Sequence, residues 1–310
     1  MRPATPRSHS LLSVAVPSSA SSSGPAAAAG TWRLGDRTVN RMGFGAMRLT
    51  GSRPFHYGVP RDRQTSIAVL RRAVELGVDH IDTASFYFSQ TRSANELINS
   101  ALSPYPEDLT IVTKVGPWRD EQGEWAASPG PDGLRGHVQE NLRQLGRDRM
   151  DIVNLRYGEP GDIRPHVAAL AELAAEGLVG HVGISAVSLD QLEAAITVTD
   201  VVCVQNRFAV DAPEDLAILH RCGELGIAFV PFFALAGTGG AGGPAEEPAS
   251  VREVAAEVGA TTSQVRLAWT LALGDHVLAI PGTGNVEHLE ENVAAAAVRL
   301  TGDQVERLSA

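Results

Sequence analysis

The chain repeats one phrase eight times: a short run of β-branched and other apolar residues, then a longer segment with helical spacing. The runs fall at Met42–Gly45, Val78–Asp82, Leu109–Lys114, Asp151–Leu155, Val179–Ile184, Val201–Gln205, Ile227–Phe232 and Val277–Ile280. Several, including VVCVQ and IAFVPFF, are apolar almost throughout, as befits strands buried on both faces of a parallel sheet. Between them, Ile67, Leu70 and Val74 follow i, i+3, i+7, while Val138, Leu142 and Leu145 follow i, i+4, i+7. Leu189, Leu192 and Ile196, then Val286, Leu289 and Val293, repeat the first spacing. Gly77, Gly177 and Gly226 stand where helices should end before the next strand. Right-handed crossovers close eight such units most naturally into an α/β (β/α)8 TIM barrel, a doubly wound open sheet being the other candidate. Ahead of the first strand, Thr31–Arg41 places Trp32, Leu34 and Val39 around a Gly–Asp turn and reads as a capping β-hairpin.

Of the 310 residues, the first thirty are mostly Ser, Ala and Pro with no acid, and are expected to form a disordered leader. The barrel then spans 31–310. The whole chain carries −10, so setting aside Arg2 and Arg7 leaves a body at −12. That balance argues against nucleic acid as a partner, since such binding needs Lys and Arg to neutralise phosphates. Cys203 and Cys222 sit in apolar stretches and offer neither a disulfide framework nor metal-ligand spacing. No apolar run approaches the ~20 residues of a membrane helix. The apolar stretch at 11–16 falls short of a signal-peptide core of ~7–15 residues. A cytoplasmic protein without membrane association is expected.

In a barrel, reactive side chains collect at the C-terminal ends of the strands. The second run delivers Asp82 and then Tyr87, the third Lys114, the fourth Arg156 and Tyr157, the fifth Ser185, and the sixth Gln205 and Asn206. A tyrosine, with a pKa of ~10, is a proton donor poorly matched to neutral pH. An ammonium beside it stabilises the phenolate, and a carboxylate keeps that ammonium charged and in place. Taken singly, such an Asp is often a helix cap, such a Lys solvated and such a Tyr packing. Their arrival on one rim from adjacent units makes them candidates together. No Ser or Cys lies in a nucleophile elbow, and HExxH is absent.

In order, MGFGAMRL, GVDHIDTASFY, TIVTKVG, GLVGHVGIS, VVCVQN, GIAFVPFF and IPGTGNVEHLEEN resemble the aldo-keto reductases over residues ~31–310. VNRMGFGAM, PRDR, VNLR, VCVQN and VPFF are most similar to the bacterial pyridoxal reductase branch. The resemblance implies a barrel that reduces a small aldehyde, pyridoxal first among candidates, with NADPH (NADH being the other possibility) and no metal. A monomer or weak homo-oligomer is expected. The resemblance makes Tyr87 the general acid, tuned by Lys114 and Asp82, and puts Ser185 and Gln205 on the nicotinamide carboxamide with Phe232 stacked on its ring. Gly282, Thr283, Gly284, His288, Glu291 and Asn292 would follow the adenosine 2′-phosphate and adenine, near a helix N-terminus suited to anions.

Three positions depart from the family pattern. Arg156 replaces the usual histidine, although VNLR is shared by the pyridoxal-reductase-like branch. Its charge suits an incipient oxyanion, and a structural ion pair is the competing role. Ala186 replaces an asparagine beside the serine, and Gly282 and His288 stand where many members carry Lys and Arg. GTGGAG at 237–242 fits a Rossmann fingerprint, but no amphipathic helix follows directly. It reads better as a loop over the cofactor pyrophosphate, with Gly237 as a contact. His56, Tyr57 and Trp118, with Trp125, are candidates to line a pocket for a planar ring. A nicotinamide-sensing regulatory barrel with little turnover is the competing function, motivated by Arg156 and Ala186 alone.

Overall fold

The computed structural model describes residues 24–51, 59–120, 124–126, 128–236 and 246–310. In chain order its strands are β1 (Thr31–Leu34), β2 (Arg37–Asn40), β3 (Phe44–Gly45), β4 (His80–Asp82), β5 (Phe88–Ser89), β6 (Arg92–Ser93) and β7 (Thr110–Val115). They continue as β8 (Trp118–Arg119), β9 (Trp125–Ala126), β10 (Met150–Arg156), β11 (Val179–Ser185), β12 (Val201–Gln205) and β13 (Ala228–Phe229). Seven of these form one parallel sheet in the order β13-β12-β11-β10-β7-β4-β3. Both edges reach the same segment, because Phe229 bridges Val277 while Met42 bridges Ala279. Leu278 N donates to Phe229 O at 2.9 Å, and Gly43 N donates to Ala279 O at 2.8 Å. The result is an α/β barrel with a mostly closed parallel core.

The helices are α1 (Arg63–Glu75), α2 (Ala94–Leu102), α3 (Leu134–Leu145), α4 (Arg164–Ala175), α5 (Leu189–Ile196) and α6 (Leu216–Leu225). After β13 come α7 (Ala249–Val258), α8 (Thr262–Ala272), α9 (Val286–Ala294) and α10 (Gly302–Ser309). Their ends obey local chemistry. Asp62 caps α1 by accepting from Thr65 N, Ser188 and Thr261 form capping boxes on α5 and α8, and Gly226 ends α6 in the left-handed region, as expected. Most of the apolar stripe residues read from the sequence face inward, with Ile67, Leu70, Val138, Leu142, Leu145, Leu192, Leu289 and Val293 buried, while Leu189 at the start of α5 is exposed.

The β1–β2 hairpin closes the N-terminal end of the barrel. Leu34 and Val39 bury among the barrel-interior residues Val112, Ile152, Cys203, Ala228, Val230 and Leu278. Residues 24–30 are structured, against the expectation from their composition. Pro25–Ala29 forms a 3-10 helix in which Ala26 and Ala29 are buried. Ala26 N donates to Leu76 O, while Arg41 and Arg299 bind the carbonyls of Ala29 and Ala28. Small side chains let this backbone lie flat on the barrel, and arginines from elsewhere satisfy its carbonyls. The expected disordered leader of residues 1–30 therefore does not hold for 24–30, and 1–23 lies outside the described residues.

Candidate active site

The C-terminal ends of the parallel strands open onto a cavity of about 430 Å3. Of the residues singled out above, Asp82, Tyr87, Arg156, Gln205, Phe232 and Gly282 line it. Phe86, Trp125, Tyr157 and Phe233 add aromatic surface.

The floor follows from strand register. Asp82 at the end of β4 pairs with Val112 of β7, which places Lys114 just beyond it on the neighbouring strand. Lys114 Nζ donates to Asp82 Oδ1 at 2.5 Å and to Thr83 O at 3.1 Å. Its side chain is 1% exposed, and a bare ammonium at that depth would be very costly. Burial alone would lower the Lys114 pKa. The Asp82 carboxylate and the Tyr87 oxygen, through charge and hydrogen bonds, outweigh it and raise that pKa above its ordinary value. Nζ lies 4.9 Å from the Tyr87 ring centroid. Asp, Lys and Tyr thus converge, as the strand-end reading required.

Gln205 Nε2 donates to the other Asp82 oxygen at 2.8 Å, so the carboxylate is held from both sides. Gln205 Oε1 is buried with no hydrogen-bond partner. An orphaned acceptor on a cavity wall fits a ligand bearing an N–H. Outside the sheet, Thr83, Asn95, Asn141 and Thr113 form a buried hydrogen-bond chain that fixes the residues next to Asp82 and Lys114.

Arg156, at the end of β10, places its guanidinium carbon 4.8 Å from the Phe232 ring centroid, and its Nη1 is 3.5 Å from Ser185 Oγ. Among the described residues no carboxylate pairs with it, so its charge is directed at the cavity rather than spent on structure. Ala186 holds φ at +54°, a left-handed conformation in which the family's asparagine would be less strained than alanine.

Tyr87 has a support that the sequence reading missed. Arg119 is 3% exposed and donates to Phe86 O and Phe88 O, the carbonyls on either side of Tyr87. Its guanidinium also lies 4.0 Å from the Phe88 ring centroid and 5.9 Å from that of Trp125. In the β8–β9 hairpin Arg119 pairs with Trp125 and Trp118 with Ala126. Arg119 is buried, and Trp125, though 48% exposed, lines the cavity. Trp118, expected in the pocket and equally exposed at 47%, does not line it and stacks on His137. Alternation along WR and EWA carries this signal, but only once the hairpin register is known.

The last turn separates the expected cofactor residues. Asn285 caps α9 by accepting from His288 N, and the His288 side chain is exposed. Glu291 accepts from the Thr261 hydroxyl at 2.6 Å and so also serves the start of α8. Asn292 is buried, and Thr283 Oγ1 accepts from Asn285 N. None of Thr283, Gly284, His288, Glu291 or Asn292 lines the cavity itself. His56, Tyr57 and Gly237 lie outside the described residues. Among the described residues no group of three or more His, Cys, Asp or Glu is placed to hold a metal ion, and no helix is long and apolar enough to cross a membrane.

The sequence model of the Aldo/keto reductase family matches residues 41–310. Pyridoxine 4-dehydrogenase of Escherichia coli is 42% identical over 285 residues, covering 90% of this chain and 96% of that protein. An uncharacterised oxidoreductase of Schizosaccharomyces pombe is 38% identical, covering 93% of this chain and 92% of its own. Among solved structures, an aldo-keto reductase from Klebsiella pneumoniae in complex with NADPH superposes with a TM-score of 0.75 at 25% identity, covering 90% and 93% of the two chains. With the Asp–Tyr–Lys floor in place and the match running through the whole barrel, the chain belongs to the aldo/keto reductase family and is an oxidoreductase of that class.

Proposed function

We propose that the protein reduces a small aromatic aldehyde with NADPH, pyridoxal to pyridoxine being the first reaction to test. The observation that carries this reading is the buried Lys114 ammonium, bound to Asp82 at 2.5 Å and set against Tyr87 on the floor of an aromatic cavity. The same reading takes Val277–Ile280 as the eighth strand of a closed (β/α)8 barrel, supported by its bridges on both sides.

The residues present fit the dinucleotide. Gln205 Oε1 offers an unfilled acceptor to a carboxamide N–H, Ser185 lies beside it, and Phe232 supplies a face for a planar ring. Gly282, Thr283 and the start of α9 would follow the adenosine end. When bound, NADPH supplies a hydride to the carbonyl carbon. The Tyr87 hydroxyl then gives its proton to the carbonyl oxygen, and Lys114 stabilises the phenolate left behind. Arg119 keeps Tyr87 in reach by holding its neighbouring carbonyls. Arg156 orients the carbonyl and stabilises negative charge as it builds on oxygen. A cytoplasmic setting is proposed with this activity, in keeping with two buried thiols, Cys203 and Cys222, whose pKa values burial pushes up to about 12.

Mixing the purified protein with NADPH and pyridoxal should give steady loss of NADPH absorbance and one equivalent of pyridoxine. The 42% identity to an enzyme named for pyridoxine is what puts that substrate first. Tight NADPH binding without turnover across a broad aldehyde panel would favour the sensing barrel instead.

A further inference from the structure

We propose that Arg61, laid across Gly284 and tied to the backbone of Arg48, is the cationic contact for the adenosine 2′-phosphate of the cofactor. The inference rests on the NADPH reading above and adds a residue to it. A body at −12 has to hold a polyanion. Gly282 and His288 occupy the positions where the family pattern puts Lys and Arg, and His288 projects to solvent. A cation for this corner must therefore come from elsewhere in the chain.

Arg61 meets the requirement on three counts. First, its place is built into the turn. A Cβ on Gly284 would stand 2.1 Å from Arg61 Nε and 2.6 Å from its Cζ, so the head of Arg61 packs in the space that the missing side chain leaves. Second, Arg61 is anchored at one edge only. Its Nε donates to Arg48 O at 2.8 Å, whereas its two Nη groups have no hydrogen-bond or carboxylate partner among the described residues. Four N–H donors in a planar fork are thus left for an anion, and such a fork suits a phosphate. Third, it sits beside the cavity rim. Arg48 and Gly282 both line the cavity, the backbone of Gly282 packs against that of Gly45, and Arg61 joins the Arg48 loop to the turn that follows Gly282.

The electrostatics agree. Burial first, and the Arg61 charge second, hold the Arg48 pKa below its ordinary value, which places two like charges close together on an acidic molecule. Such a pair is unfavourable alone and becomes favourable around a dianion. Two helix starts flank this corner, α1 directly after Arg61 and α9 directly after the Gly284 turn, and their amide dipoles have the same sign. The acidic groups that oppose them are Asp62, which is engaged as the α1 cap by Thr65 N, and the exposed Glu287 in the first turn of α9.

The test is equilibrium binding of NADPH and of NADH to the intact protein, followed by quenching of tryptophan fluorescence and requiring no turnover. Arg61→Ala should weaken NADPH about 10- to 100-fold and leave NADH within about twofold. Arg61→Lys should recover part of the loss, and the NADPH affinity of the wild type should fall more steeply with salt than that of Arg61→Ala. Gly284→Ala displaces the guanidinium without removing its charge and should reproduce the selective loss. Equal weakening of both dinucleotides by Arg61→Ala would overturn the assignment, by moving the contact to a part they share. Unchanged NADPH affinity in Arg61→Ala with an unaltered melting temperature would overturn it as well, leaving the reductase reading intact. A wild-type protein that binds neither dinucleotide would overturn both.

Discussion

Two ion pairs in this molecule share a closest approach of 2.5 Å and almost nothing else. Lys114 and Asp82 meet on the floor of the cavity with side chains 1% and 6% exposed, whereas Arg307 of α10 and Glu257 of α7 meet on the outer surface at 43% and 42%. On the surface each partner has water as a substitute, so the pair adds little to stability and salt screens it. On the floor neither partner has a substitute. Asp82 is held from its other side by Gln205, and Lys114 also binds Thr83 O. Such a pair contributes little net stability over an apolar replacement, yet it cannot lose one member cheaply. Under the proposed function, its presence in a barrel interior follows from what it does to Tyr87 rather than from folding.

Breaking the buried pair gives the largest effect. Lys114→Met leaves Asp82 unpaired and should cost about 3–5 kcal/mol in urea unfolding, with turnover lost. The double variant Asp82→Leu/Lys114→Met should regain much of that stability and none of the turnover. If the double variant is no more stable than the single, the pair is structural and the contrast with the surface pair collapses. Next comes Tyr87→Phe, which removes one oxygen from a buried ring. Turnover should fall about 10³-fold, about 4 kcal/mol of barrel-assisted proton transfer, with NADPH affinity and melting temperature unchanged. Equal turnover in Tyr87→Phe would move the acid elsewhere. Arg156→Met should lower kcat about 10²-fold by removing a cation from the developing oxyanion, and Arg156→Lys should restore only part, since the fork is lost. A full recovery with lysine would show that charge alone suffices at that rim.

The floor was legible in the sequence because each of its members ends a β-branched run, and strand ends in a barrel share one rim. Asp82, Lys114 and Gln205 needed only the period of the pattern to be placed. Arg61, Arg48 and Arg119 were not legible, because they sit outside that period and act across the molecule on Gly284 or on the carbonyls beside Tyr87. Trp118 and Trp125 were equally good candidates until the hairpin register put them on opposite faces. The eighth strand shows the same limit in the backbone. Val277–Ile280 has the apolar character of a strand but meets its neighbours through single bridges at Val277 and Ala279. The alanines of 25–29 misled in the other direction, since composition reports what a segment can bury and not what surface awaits it.

The smallest effect comes from the surface pair, and pH separates it from the buried one by sign. Hydrogen bonds from Arg307 and then Gln304 hold the Glu257 pKa down at about 2, below an ordinary value of 4.5. A group held down in the folded state contributes fully above its unfolded pKa and loses that contribution as pH falls towards 2. Lys114 is held up instead, so its contribution is complete below the ordinary 10.5 and is lost only as pH rises through the higher folded value. Glu257→Gln should therefore differ slightly from the wild type in unfolding free energy near pH 6, converge with it as the pH approaches 2, and lose the difference in ~0.5 M salt. The wild type should meanwhile hold its alkaline stability in that salt, because ions do not reach the floor. A Glu257→Gln deficit that survives both acid and salt would mean that exposure does not decide the worth of a 2.5 Å ion pair in this protein, and the argument for a functional origin of the buried pair would lose its control.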